Sequence, residues 1–194
     1  MSYTGIFMAS GFSRRMGQNK LLLPFRQKPL FQHGLAATEK SRLDHLLVVT
    51  AYPEIQRYCT RQRIPWIENQ SPQEGQSVSI RLGVARTAPS HGFVFIPGDQ
   101  PFLTPEMLNR LLCLGLQDPE KIIIPQYRGR PGSPVLFPKS FRAELLALTG
   151  DVGGKQLIRA HPEACRFLAL DSPSPLTDID SPSDYLQAET RTPS

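Results

Sequence analysis

Short apolar runs separated by longer stretches of helical pattern recur along this chain, and that alternation limits its fold more than any other feature. Residues 3–8, 45–50, 92–97 and 122–124 are rich in Ile, Val, Leu and Phe, and are too short for buried helices. Each is expected to be a buried strand. Residues 65–68, 135–137 and 166–170 add shorter strands. Between them lie segments with apolar residues at helical spacing. Leu30, Gly34 and Ala37 share a face in the first (29–40), Ile80, Val84 and Ala85 in the third (about 75–87), and Leu108, Leu111, Leu112 and Leu116 in the fourth. Residues 53–63, 139–148 and a stretch before 166 complete the helical set. Thr104-Pro105-Glu106 is a helix start, a cap followed by proline at the first helical position. Residues 21–25 read as a brief extended piece. Strand and helix in alternation argue for an α/β chain with a mostly parallel sheet and helices on both faces.

In such a sheet, ligands bind beyond the carboxyl ends of the strands. Residues 9–20, Asp99 and the turn-rich 128–134 stretch all follow strands, so they are expected to meet at one edge. No internal repeat or linker interrupts the pattern, and 1–188 read as one domain. Ser181-Pro182-Ser183-Asp184 caps a last helix ending near Gln187, and 189–194 read as a frayed tail.

Composition narrows the function classes. A chain of 194 residues, 40% hydrophobic and 20% charged, can bury the core of one globular domain. Its net charge of +5 suits an anionic partner, but the basic residues are scattered, without a block interleaved with aromatics, so no nucleic acid partner is expected. Cys59, Cys113 and Cys165 have neither disulfide-framework nor zinc spacing, and are expected to be buried, reduced thiols. His33, His45, His91 and His161 show no ligand spacing either. No apolar run is long enough to span a membrane and no secretory signal opens the chain, so a cytoplasmic protein without a membrane partner is expected.

The chemistry concentrates where the first strand ends. Ala9-Ser10-Gly11-Phe12-Ser13-Arg14-Arg15-Met16-Gly17-Gln18-Asn19-Lys20 combines glycines, which let a backbone approach an anion, with three cations that neutralise one. Its spacing fits neither the usual Gly-Lys-Ser/Thr phosphate loop nor Gly-x-Gly-x-x-Gly. The residues alone leave two readings open, a polyphosphate site or a solvated connection with surface arginines. The same holds for Asp99, either a functional carboxylate or one half of a Gly-Asp turn, and for Asp180, a ligand or an Asx turn before a capped helix.

Taken together, Gly11-x-Ser13-x-Arg15-Met16-Gly17-x-x-Lys20, Pro97-Gly98-Asp99-Gln100-Pro101 and Asp178-Ile179-Asp180-Ser181-Pro182 resemble, in order, the three motifs of the MobA-like nucleotidyltransferases. The nearest resemblance is to the molybdenum cofactor cytidylyltransferases, and it spans nearly the whole chain. It implies the three-layer Rossmann-like fold of the nucleotide-diphospho-sugar transferases. It also implies transfer of CMP from CTP to a molybdopterin-type phosphorylated acceptor, with release of pyrophosphate. Lys20 then contacts the α-phosphate, and Ser13, Arg14 and Arg15 the leaving diphosphate. Asp99 and Asp180, the latter ranked above Asp178, hold a divalent metal, magnesium or manganese. Magnesium takes one or two carboxylates plus phosphate oxygens and water, so this sparse pair suffices.

The same resemblance places Ala9, Ser10 and Gly11 against the base, and Gly75, Ser77 and Ser79 near the nucleotide. Without it, the two serines read as caps for a helix's first turn. Ser10 stands where the guanine-using branch has glycine, which favours cytidine, and Gly75-Gln76-Ser77 also looks like the cytidylyl branch. On the acceptor side Arg130, Gly132, Ser133 and Asp151 fall in loops similar to family loops, with Ser133 in place of the usual histidine. A recipient molybdoenzyme is an implied partner. Three alternatives stay open: another nucleotide, GTP or ATP; another phosphorylated acceptor; and a molybdopterin carrier or insertion factor without turnover.

Overall fold

A computed structural model describes residues 2–11, 19–89, 91–151 and 153–190. The first apolar run forms β1 (Tyr3–Ala9), buried along almost its whole length. A 3₁₀ turn follows at Lys20–Leu22, where Asn19 Oδ1 accepts a 3.1 Å bond from the Leu21 N–H. The stretch expected to be simply extended therefore begins with a capped turn. It continues into a tight hairpin, β2 (Pro24–Phe25) paired with β3 (Lys28–Pro29), with Arg26 and Gln27 both at positive φ. Helix α1 (Leu30–Glu39), strand β4 (His45–Thr50), helix α2 (Pro53–Gln62) and strand β5 (Trp66–Glu68) come next. Pro53 opens α2 in the position where a missing N–H costs nothing.

Helix α3 (Gln76–Arg86) leads to strand β6 (Gly92–Pro97) and helix α4 (Pro105–Gln117). Thr104 caps α4 as expected, its hydroxyl accepting from the Met107 N–H at 3.2 Å. Strand β7 (Ile122–Tyr127) turns back through Arg128 and Gly129, both at positive φ, into β8 (Arg130–Pro131). The 128–134 stretch is thus partly a hairpin, which its Arg-Gly centre did not announce. Strand β9 (Val135–Phe137) is followed by a 3₁₀ turn at Lys139–Phe141 and α5 (Arg142–Leu146), where one continuous helix was expected. Helix α6 (Lys155–Ala160), strand β10 (Cys165–Ala169) and helix α7 (Pro182–Thr190) complete the order. Helix α7 outlasts its expected end because Ala188 is buried and Glu189 accepts from the Arg26 N–H. Among the described residues, no helix is long and apolar enough to cross a membrane.

The main sheet runs β10-β7-β9-β6-β1-β4-β5, with β8 paired to β7. All pairings are parallel except those of β8 and β9, which are antiparallel to their neighbours. Helices cover both faces, giving the three-layer, mostly parallel Rossmann-like architecture. Period-two alternation divides each strand between two cores. Phe7, Val48, Val94, Ile96 and Ile123 face a cluster with Phe31, Leu35, Ile55 and Leu108. Their neighbours Ile6, Val49, Phe93, Phe95, Ile122 and Ile124 face Ile80, Val84, Leu145 and Leu157. Strands buried on both faces read as unbroken apolar runs. Each such side chain contributes about 1.5–3 kcal/mol relative to exposure.

A small third cluster, Phe25, Leu30, Ile179 and Ala188, ties the β2–β3 hairpin to α7 and the segment before it. The three cysteines are free, as expected, but only Cys59 is buried; Cys113 is exposed and Cys165 half-buried.

Helix α3 approaches β1 closely at Gly83, where an added Cβ would lie 2.5 Å from Cγ2 of the fully buried, β-branched Ile6. Gly83→Ala is expected to destabilise the fold by about 1–3 kcal/mol through overpacking. That outweighs the gain in helix propensity of up to ~1 kcal/mol. Urea unfolding should show a lower midpoint with an unchanged slope.

Candidate active site

Parallel strands β1, β4, β5 and β6 end at one edge, and the chain leaving β1, β5 and β6 contributes to one cleft of about 340 Å³. Ligand sites of about 300–1,000 Å³ are typical, and the carboxyl edge of such a sheet is where they form. Ser10 and Gly11 enter from β1, Asn69 from beyond β5, and Gly98 and Asp99 from beyond β6. Gly75, Gln76 and Ser79 line it from the start of α3, and Asp151 faces them.

Lys20 is the electrostatic centre. Its Nζ lies 2.6 Å from Asp99 Oδ2 and 2.7 Å from Asp180 Oδ1, and its side chain is only 10% exposed. Burial alone would lower the pKa of this ammonium, but the charge of Asp99 and the hydrogen bonds that the ammonium donates to both carboxylates outweigh it. The lysine is held above its ordinary value and charged. Asp178 is placed differently. Its Oδ1 accepts from Gln100 Nε2 at 2.8 Å, and the residue taken whole is exposed. Burial of the carboxyl, then the charge of Asp99, push it up to about 6 against the opposing Gln100 hydrogen bond. Asp178 and Asp180 therefore do not share one environment.

The donor set is compatible with a divalent cation of the magnesium or manganese type. Two carboxylates converge on one point, and Asp99 Oδ1 is buried without a hydrogen-bond partner. Among the described residues no three His, Cys, Asp or Glu side chains gather into a closed cage. A sparse pair with room for ligand oxygens is what a hard cation shared with phosphates uses.

Around the proposed base subsite, Ser10 is buried and donates its hydroxyl to the Val49 carbonyl at 3.2 Å. Its proton is committed, so toward the cleft the oxygen offers lone pairs. A Cβ added at Gly11 would meet no atom of the described residues within 4 Å. The carbonyl of Gly11 is held by the Tyr52 hydroxyl at 2.6 Å. Ala9 is fully buried and its carbonyl accepts from the Thr50 hydroxyl at 2.9 Å.

The serines of α3 do not cap it. Ser77 Oγ is buried without a partner and does not line the cleft, whereas Ser79 Oγ accepts from Asn69 Nδ2 at 3.1 Å. The N-terminus of α3 is instead faced by Asp151, whose Oδ1 accepts from the Gln76 N–H at 3.3 Å. A carboxylate there complements the helix dipole.

Of the remaining acceptor-side residues, none lines the cleft. Arg130 is exposed on β8, Gly132 packs against Leu176, and Ser133 leads into the cis bond to Pro134. Ser13, Arg14 and Arg15 lie outside the described residues. Two contributors escaped sequence reading. Asn69 is a 2% exposed amide just past a strand's carboxyl end, a position that could have flagged it. Tyr52, by contrast, reaches Gly11 only through the β1–β4 pairing.

Comparison with known proteins adds to this geometry. Residues 5–165 match the model of the MobA-like NTP transferase domain. The purine catabolism protein PucB of Bacillus subtilis is 32% identical over 193 residues, covering 93% of each chain. The molybdenum cofactor cytidylyltransferase of Escherichia coli is 26% identical, covering 96% of this chain and 95% of that one. A molybdenum cofactor guanylyltransferase of Aliivibrio salmonicida is 29% identical, with 95% and 94% covered. Among solved structures, the manganese complex of Rv0371C from Mycobacterium tuberculosis matches with a TM-score of 0.84 at 26% identity, over 99% of this chain and all of that one.

Gly75 holds α3 and the 150–151 turn together. It sits at φ 98°, ψ −173°, a region essentially restricted to glycine, and an added Cβ would collide with the Asp151 backbone. Gly75→Ala is expected to cost about 1–3 kcal/mol from backbone conformation alone, and more with the collision. The thermal midpoint should fall, and NMR should report displacement of Asp151 from the Gln76 amide.

Proposed function

The chain belongs to the MobA-like NTP transferase family, and from that premise we propose that it transfers CMP from CTP to the phosphate of a molybdenum-loaded molybdopterin, releasing pyrophosphate. The observation that carries the reading is the charged Lys20 held between Asp99 and Asp180 in a cleft also lined by Ser10 and Gly11. One acceptor phosphate oxygen attacks the α-phosphorus. The bond from that phosphorus to the bridging oxygen breaks, and its electron pair leaves with pyrophosphate.

A phosphomonoester is already anionic, so the step needs positioning and neutralisation and no protein base. Lys20 neutralises charge at the α-phosphate, and Ser13, Arg14 and Arg15 hold the departing diphosphate. Asp99 and Asp180 are the residues that would hold a divalent cation, which when bound neutralises charge shared across the phosphate oxygens. Gly75, Ser79 and Asn69 shape the nucleoside end. Ser77, buried behind this lining, supports it. The acceptor approaches along the side of Asp151 and the β7–β8 hairpin with Arg130, Gly132 and Ser133.

Cytidine is favoured by Ser10, whose side chain takes room that a glycine would leave for a purine. With its proton given to Val49, its oxygen can accept from an exocyclic amine but cannot donate to the O6 of guanine. Cytosine, adenine and guanine all offer such an amine, so the preference for the smaller base rests on room. A recipient molybdoenzyme takes the product, which co-purification would detect.

The test is pyrophosphate release from purified protein with molybdenum-loaded molybdopterin and magnesium or manganese, comparing CTP, GTP and ATP. Turnover with CTP alone is expected. Preference for GTP or ATP would overturn the reading of Ser10 and leave the phosphate site standing. Chelation should abolish turnover reversibly, and Asp99→Asn should lower kcat by about 10²-fold or more. Pterin binding retained alongside lost turnover in that variant would exclude a carrier role.

A further inference from the structure

The segment that delivers Asp180 has no helix or strand to hold it, since residues 177–181 lie between a 3₁₀ turn and α7. It is fastened instead, residue by residue, to the turn after β6. Asp178 Oδ1 accepts from Gln100 Nε2 at 2.8 Å. The Ile179 N–H donates to the Asp99 carbonyl at 3.1 Å, and its side chain is fully buried with Phe25, Leu30 and Ala188. Asp180 Oδ1 then accepts from Lys20. Gln100 is 1% exposed and does not line the cleft, so it has no access to a ligand there.

Its amide is used unevenly. Nε2 is on Asp178, while Oε1 is buried without a partner. Turning the amide over would set that oxygen against the carboxylate of Asp178. An unpaired buried carbonyl is unfavourable, and the arrangement persists because the other end of the same group secures the segment.

We propose that Gln100 is a positioning residue: its buried amide fixes Asp178 and thereby sets Asp180 opposite Asp99 and Lys20. Removing the amide frees the middle of the strap while leaving every group that faces the cleft chemically intact. The effect on turnover rests on the nucleotidyl-transfer reading, whereas the effect on the strap does not.

Two measurements on the full chain test it. Gln100→Met keeps length and removes the donor. Asp178→Ala removes the same bond from the solvent side, where folding is less at risk. Asp178→Asn keeps an acceptor for Nε2 and adds a donor for the orphaned Oε1. In amide hydrogen exchange without substrate, Gln100→Met and Asp178→Ala should speed exchange at Ile179 by about tenfold while β6 stays protected, and Asp178→Asn should not. Unchanged protection of Ile179 in both of the first two variants would overturn the proposal.

In turnover, the first two variants should lose about tenfold in kcat, with Asp178→Asn within about twofold of the unaltered chain and no further loss when Gln100→Met is added to Asp180→Asn. Full multiplication of the losses in that double variant would overturn it. So would a loss in Asp178→Asn as large as in Asp180→Asn, since Asp178 would then act directly. If the unaltered chain turns over no nucleotide, the functional reading fails, and the exchange measurement alone decides the role of Gln100.

Discussion

The contact on which the rest of this site depends is the ammonium of Lys20 held between the carboxylates of Asp99 and Asp180. The three residues come from the loop after β1, the turn after β6 and the approach to α7, so one cation closes the molecule across most of its sequence. Burial works against a charged lysine, and two carboxylates at hydrogen-bond distance reverse that balance. The reverse dependence holds as well. Asp99, Asp178 and Asp180 crowd negative charge into a small region, which makes positive charge a structural requirement there. A site that needs cations to exist is suited to a substrate that brings phosphates and a metal with it.

That contact can form because of the sheet. Parallel pairing of β1 with both β4 and β6 sends three chain exits to the same edge. With both faces sealed by helices, the carboxyl edge is where backbone polar groups and functional side chains can face a ligand. The antiparallel β9, inserted between β6 and β7, pushes the β7–β8 hairpin to the side of the cleft. This explains why Arg130, Gly132 and Ser133 flank the site without lining it.

The end of the cleft around Ser10 and Gly11 is built from groups that constrain one another. Thr50 holds Ala9, Tyr52 holds Gly11, Val49 takes the Ser10 proton and Asn69 is fixed between Ser71 and Ser79. These bonds spend part of the hydrogen-bonding capacity of the lining before any ligand arrives. What remains unspent is the pair of lone pairs at Ser10 and, among the described residues, an open face at Gly11. Relatives named for cytidylyl and for guanylyl transfer are similarly close to this chain, so overall similarity does not separate the two bases.

Much of this protein was legible in its sequence. Strands 45–50 and 92–97 were found to the residue, because each is built on a short apolar run, buried at residues 48–50 in the first and at residues 92–96 in the second. Lys20 and Asp99 follow strands, but on residue chemistry alone Asp99 and Asp180 also read as turn residues; the resemblance of their three motifs to the family is what singled the set out. Local chemistry misled where partners came from elsewhere. Ser77 and Ser79 had the look of caps, yet Asp151 takes the Gln76 N–H. The 128–134 stretch read as a turn-rich loop, yet it formed a hairpin that turns at Arg128-Gly129 and not at the familiar Pro131-Gly132 pair. The sequence by itself determined the elements, the layer architecture and the identities of the charged residues, since these follow from periodicity and residue chemistry. Only the tertiary structure decided which carboxylate meets Lys20 and which is turned onto Gln100, because that choice depends on how Ile179 is seated in a core contributed by distant parts of the chain.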